Sequence, residues 1–204
     1  DPGRTRRAPP SSGWLAGVVV NTLLTTPAMR DDALAFFEAR ERAIAASFRR
    51  QAAGYAVTAT EDSGHPFWDA RASVPDGDRV FRPGELDPSL LARDPDVLSA
   101  ARDLQARPTI DLRIGDHARI GPQPVIRGRT LVMEDHLILP SWPEGLKYIR
   151  NVDLVLVTRL AEAHHDVGDL YEAVARIQPG LSLPDFLGVL ATLLARDGLQ
   201  HTKM

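Results

Sequence analysis

The sequence predicts an α+β chain: helical and irregular structure to about residue 108, then a small antiparallel sheet and a C-terminal three-helix, winged-helix-like unit. Three observations predict it. The stretch Asn151–Leu199 carries three apolar patterns at helical spacing, separated by short breaks at His164-His165-Asp166-Val167-Gly168 and Gln178-Pro179-Gly180. Before it lie apolar runs of extended character: Thr109–Ile114, Gln123–Ile126, Arg129–Met133 and His136–Leu139. The residues after Thr26-Pro27 form one long helical pattern.

In chain order, residues 1–13 are rich in Pro, Arg and Ser and are expected to be a disordered arm, with Arg4, Arg6 and Arg7 as its basic residues. Trp14–Leu24 is apolar and reads equally as a buried strand or a short helix. Thr26-Pro27 is a cap followed by a first-turn proline, and the helix it opens should end at Gly54. Leu34, Phe37, Ile44 and Phe48 mark its expected inner side, and Glu38 can pair with Arg42 one turn on. From Tyr55 to Glu85 the pattern lapses into turn chemistry, which predicts a long loop anchored by Phe67, Trp68 and Phe81. Asp87-Pro88 opens a short helical turn. Asp94-Pro95 caps a helix that runs to Ala106 and stops at Arg107-Pro108.

Glu134-Asp135 joins two of the extended runs and predicts a tight hairpin there, with Leu137–Leu139 as the outer strand. No strand is expected within 152–197. The final helix is the best signalled. Ser182 caps it, Pro184 fits its first turn, Asp185 meets the positive end of its dipole, and Gly198 should take the left-handed conformation that ends it.

Composition narrows the function classes. The chain has 204 residues, no cysteine and a formal charge of −3. The lack of cysteine removes disulfides, thiolate catalysis and cysteine-based zinc sites. The net charge argues against a dedicated nucleic-acid binder, because phosphate contacts require a basic face. Arginine outnumbers lysine and alanine is abundant, as expected for a bacterial genome rich in G and C. The chain begins at Asp1, not Met, so upstream residues are expected. No window is long and apolar enough for a membrane span, and no cleavage site follows the Trp14–Leu24 run. A cytoplasmic location follows as an expectation.

Catalytic motifs are missing: there is no Gly-x-Ser-x-Gly, Gly-x-Gly-x-x-Gly or phosphate-loop pattern. His164, His165 and Asp166 have metal-ligand chemistry, but adjacent helical residues point about 100° apart, so they are expected to be solvated loop residues. No catalytic and no metal-binding residue is assigned, and no cofactor is expected in this chain. The last two helices carry Arg176 and Arg196 against Asp169, Glu172, Asp185 and Asp197, which equips them poorly for reading DNA. A winged-helix transcriptional regulator, with the Arg4, Arg6 and Arg7 arm on DNA, stands as the alternative reading. The unit suits a peptide better, because a strand edge beside an apolar helix can accept an added strand.

The closing Leu194-Ala195-Arg196-Asp197-Gly198-Leu199, the Asp169-Leu-Tyr-Glu-Ala-Val174 helix and the preceding strands resemble the PqqD-like winged helix that recognises precursor peptides in ribosomal peptide (RiPP) biosynthesis. Leu23-Leu-Thr-Thr-Pro-Ala-Met-Arg30 is similar to the helix start of MbnC-like partner proteins of multinuclear non-haem iron oxidases. The resemblance implies a non-catalytic protein that forms a heterodimer with a metal-dependent modifying enzyme and helps hold the precursor peptide. Iron would belong to the partner. Residues 14–108 would dock on the enzyme and residues 109–204 would recognise the peptide. By position, the peptide would lie along Leu137, Ile138 and Leu139 and the side of the last helix carrying Leu187, Leu190 and Leu194.

Overall fold

The computed structural model describes residues 12–63, 65–72, 93–107 and 109–202. The chain is α+β. Two compact units divide it, one formed by Asp1–Phe81 with Pro124–Met133, the other by Arg82–Gln123 with Glu134–Met204. The helix at Pro95–Ala106 therefore belongs with the second unit, not with the N-terminal region in which the sequence boundary at 108 places it. The expected short turn at Asp87-Pro88 lies outside the described residues.

In the first unit, Trp14–Leu24 resolves as helix, within α1 (Ser12–Thr25). Leu15, Val18 and Val19 are buried, at the three-four spacing of one helix face. A 3-10 turn, Pro27–Met29, follows, and the expected cap from the Thr26 side chain is not made. Helix α2 (Arg30–Ser63) then runs straight through Gly54. An added Cβ on Gly54 would meet nothing, so this glycine answers to no turn. The inner side of α2 also differs from expectation. Leu34 and Phe48 are exposed, while Ala33, Phe36, Ala46, Ala53 and Ala56 are buried. Small side chains face inward where other chain comes close, and hydrophobicity alone does not register that. Glu38 and Arg42 do approach, at 3.9 Å on an open surface, where such a pair contributes little. Residues 55–63, expected as loop, continue α2, and Phe67 and Trp68 lie on helix α3 (Pro66–Ala72) with rings edge-to-face at 4.8 Å.

A hairpin tip completes this unit. Strands β2 (Arg119–Arg127) and β3 (Thr130–Leu139) meet through Gly128-Arg129, and Gly128 takes a φ of 61°. The turn thus sits at the glycine, whereas Glu134-Asp135, the expected turn, lies inside one continuous strand. Leu131 from β3 joins Leu15, Val18, Val19, Ala33 and Phe36 in one core. Its backbone amide donates to the buried Thr22 hydroxyl at 2.8 Å, and that hydroxyl donates to the Val18 carbonyl at 2.8 Å.

In the second unit, β1 (Leu112–Ile114) pairs antiparallel with a strand the sequence did not announce, β7 (Leu199–His201). Strand β4 (Trp142–Leu146) pairs with β3, Leu137 opposite Leu146 and Leu139 opposite Trp142, so the order is β2-β3-β4. A small hairpin, β5 (Tyr148–Ile149) and β6 (Val152–Asp153), follows. It places a strand at 152–153, against expectation, and delays the first C-terminal helix to Leu154. Its turn needs Arg150 at a φ of 53°, and the Gln178 side chain holds it by donating to the Asn151 carbonyl and accepting from the Asp153 amide.

The three expected helices are α5 (Leu154–Ala161), α6 (Val167–Ile177) and α7 (Leu183–Ala195). Each start is capped by the residue just before it. Asp153 accepts from Leu156, Asp166 from Gly168 and Asp169, and Ser182 from Asp185. The earlier helix α4 (Pro95–Ala106), capped by Asp94 as expected, packs along α7. Helix α7 ends differently from expectation. Asp197, at a φ of 56°, takes the left-handed position instead of Gly198. The Gly198 amide bonds the Leu193 carbonyl and the Asp197 amide bonds that of Leu194, the paired closure of a Schellman turn. Gly198 sits close against the core: an added Cβ would stand 3.0 Å from a Leu193 methyl, which would have to give way.

Thr22→Val should cost about 1–3 kcal/mol, because it leaves the buried Leu131 amide without an acceptor. Thr22→Ser, which keeps the hydroxyl, should recover most of the loss. Thermal denaturation of the three proteins measures this, and a valine variant as stable as the parent would contradict it.

Candidate functional site

The expected peptide strand is not an edge. Strand β3 lies between β2 and β4, and Leu137, Ile138 and Leu139 are buried at 0%, 6% and 1% exposure. The sequence reading missed β4 because Trp142-Pro-Glu-Gly-Leu146 mixes a proline and a glycine into a short strand, which hides its period. Gly145 is required there: its φ is 74°, and a Cβ would press within 2.8 Å of His136. On α7, Leu190 is fully buried with Phe186, Val189 and Leu193, whereas Leu187 and Leu194 are only half-buried. The six residues therefore divide into four of the core and two, one helical heptad apart, that reach solvent.

His164, His165 and Asp166 have separate tasks. His164 Nδ1 lies 2.8 Å from the Leu160 carbonyl, His165 Nδ1 lies 2.6 Å from Asp111 Oδ1, and Asp166 caps α6. Among the described residues, no three His, Asp or Glu side chains are grouped so as to hold a metal ion.

The second unit carries an open cleft of about 430 Å³ between α4, the end of α7 and β7. One wall is the α4 face made by Asp96, Ser99, Ala100 and Asp103, which share a side because they recur at three-four spacing. The other side is Leu194, Ala195 and Asp197, then Leu199, Gln200 and His201. Leu194 is the one expected peptide-contacting residue in it. An ion pair between Arg196 and Asp94 ties the end of α7 to the start of α4, so the two walls are joined where they meet. The sequence carried a partial signal for this site, the Asp-x6-Asp spacing on α4. It carried none for the pairing of β7 with β1, which brings Leu199 and His201 beside that helix.

Two further ion pairs stiffen the unit. Lys147 and Glu134 meet at 2.9 Å, largely shielded, and the hydrogen bond to Glu134 raises the Lys147 pKa. Asp185 accepts from the Ser182 hydroxyl at 2.7 Å and pairs with Arg150. The Ser182 bond first, and Arg150 second, hold its pKa below the ordinary 3.8.

No family model matches the chain, and no curated protein matches it. Among solved structures it is similar to QhpG, a peptidyl tryptophan dihydroxylase essential for tryptophylquinone cofactor biogenesis, with a TM-score of 0.49 and 22% identity over 91% of this chain. The match takes in 35% of that chain, so this sequence spans about a third of its length. A likeness of that size carries neither a shared fold nor a function.

The lowered Asp185 pKa has a definite sign. Its contribution to stability is complete above the unfolded value of 3.8 and is lost as pH falls through the lower folded value. The melting-temperature gap between the parent and Asp185→Asn should therefore be widest near neutral pH and narrow in acid below that value. A gap that stays constant across this range would contradict the assignment.

Proposed function

We propose that this chain is a non-catalytic accessory protein of ribosomal peptide modification, cytoplasmic, that binds a precursor peptide and forms a heterodimer with a metal-dependent modifying enzyme. The observation that carries the reading is the apolar surface of the helical first unit. Trp14, Val20, Leu24, Phe48, Tyr55 and Phe67 are 44%, 53%, 77%, 66%, 70% and 47% exposed. Phe48 and Tyr55 are seven residues apart on α2 and share a face. Aromatic side chains left in water at helical spacing suit a protein interface, where their burial returns about 1.5–3 kcal/mol each. The PqqD-like and MbnC-like resemblances supply the kind of partner.

The peptide is proposed to lie along the side of α7 that carries Leu187 and Leu194. Leu137, Ile138, Leu139 and Leu190 form the packed layer behind that side. The exposed side of α6 carries Asp169 and Glu172 against Arg176, and Asp197 follows the end of α7, so acids outnumber bases there and weigh against the DNA-binding reading. Among the described residues, no helix is long and apolar enough to cross a membrane.

Co-expression with a metal-dependent enzyme that modifies ribosomal peptides should yield a complex. Phe48→Glu with Tyr55→Glu should abolish co-purification while circular dichroism shows an unchanged helical content. The chain alone should show no turnover and no stoichiometric metal by elemental analysis. Stoichiometric iron in the isolated chain, or a complex indifferent to both glutamates, would overturn the reading.

A further inference from the structure

We infer that the cleft between α4 and the end of α7 selects a basic, extended peptide segment, with Arg or Lys at two positions three residues apart around an aliphatic side chain. This deepens the peptide-binding reading and rests on it. The floor of the cleft is apolar, made by Ala100, Leu194, Ala195 and Leu199, and suits an aliphatic side chain. Its polar lining is anionic: Asp96, Asp103 and Asp197 line it, and no Lys or Arg does. His201, the remaining titratable group there, is exposed. Arg196, next to Asp197, is already paired with Asp94, and Arg102, next to Asp103, does not line the cleft. Among the described residues the three cleft carboxylates have no cation partner.

The carboxylates are spread along the cleft, not gathered, since no group here could hold a metal ion. A single small cation is therefore a poor fit, and a chain with spaced positive charges is a good one. Geometry sets the spacing. Asp96 and Asp103 are seven residues apart on one face of α4, about 10 Å along the axis at 1.5 Å per residue. A peptide extended as a polyproline II helix advances about 3.1 Å per residue with three residues per turn, so side chains three residues apart share a face about 9 Å apart and match the two carboxylates.

The test uses three short fluorescent peptides, identical except that the two charged positions are Arg, Gln or Glu, with binding to the whole chain read by fluorescence anisotropy. The Arg peptide should bind best, and its affinity should fall as salt screens the exposed charges. Asp96→Asn with Asp103→Asn, each nearly isosteric, should weaken the Arg peptide about tenfold, as for two exposed ion pairs, and leave the Gln peptide unchanged. Thermal melting confirms that the double variant is folded. Equal binding of all three peptides overturns the charge selection but leaves peptide binding standing. An Arg preference that survives the double variant overturns the cleft as its source. Failure of every peptide to bind overturns both this inference and the peptide-binding reading.

Discussion

A buried backbone amide without an acceptor costs more than most single contacts return, and that constraint shapes this chain throughout. Four helices begin with a short polar side chain in the one position from which it can reach the free amides: Asp94, Asp153, Asp166 and Ser182. The same constraint governs the strands. The Leu131 amide finds the Thr22 hydroxyl, and the outward-facing Ile114 amide finds Glu162 Oε1 at 3.2 Å. In β2 the problem is removed at source, since Pro122 and Pro124 have no amide to satisfy. Each of these choices decides where a helix can start or where a sheet must stop, and the packing of apolar side chains follows from them.

The same constraint limits where a peptide strand could add to these sheets. A strand accepts a peptide only with a row of free backbone groups. The middle strand β3 has none, Glu162 occupies a donor of β1, and prolines interrupt β2 and β4. The concave face between α4 and α7 offers side chains and charge in place of free backbone groups.

The elements with chemical punctuation were legible in the sequence. Asp94-Pro95, Ser182-x-Pro184 and the apolar stripe of α7 each have a local cause that single residues reveal, and all are found where expected. What escaped was set by contacts distant in sequence. The pairing of β7 with β1 joins residues some ninety apart, and nothing near Leu199 announces it. The inner side of α2 is written in alanines because neighbours approach closely there, and a pattern built on large apolar residues points to the wrong face. Gly54 misled for a related reason: a glycine weakens a helix by about 1 kcal/mol, and a helix of 34 residues absorbs that without ending. Of the candidate site, Leu187 and Leu194 were visible as part of an apolar helix, but the cleft beside them depends on α4 and β7 arriving together.

The closure of α7 has a chemical consequence for the lifetime of the chain. Among aspartyl links, one to glycine, as in Asp197-Gly198, closes most readily to a succinimide: the glycine nitrogen attacks the side-chain carboxyl with loss of water, and hydrolysis of the ring leaves an isoaspartyl link. Here that nitrogen is engaged with the Leu193 carbonyl at 2.8 Å, and its residue is buried against the Leu193 side chain. The turn that ends the helix thus withholds the nucleophile. Protein that has frayed at this corner would age first, and the damage would fall on a carboxylate lining the cleft.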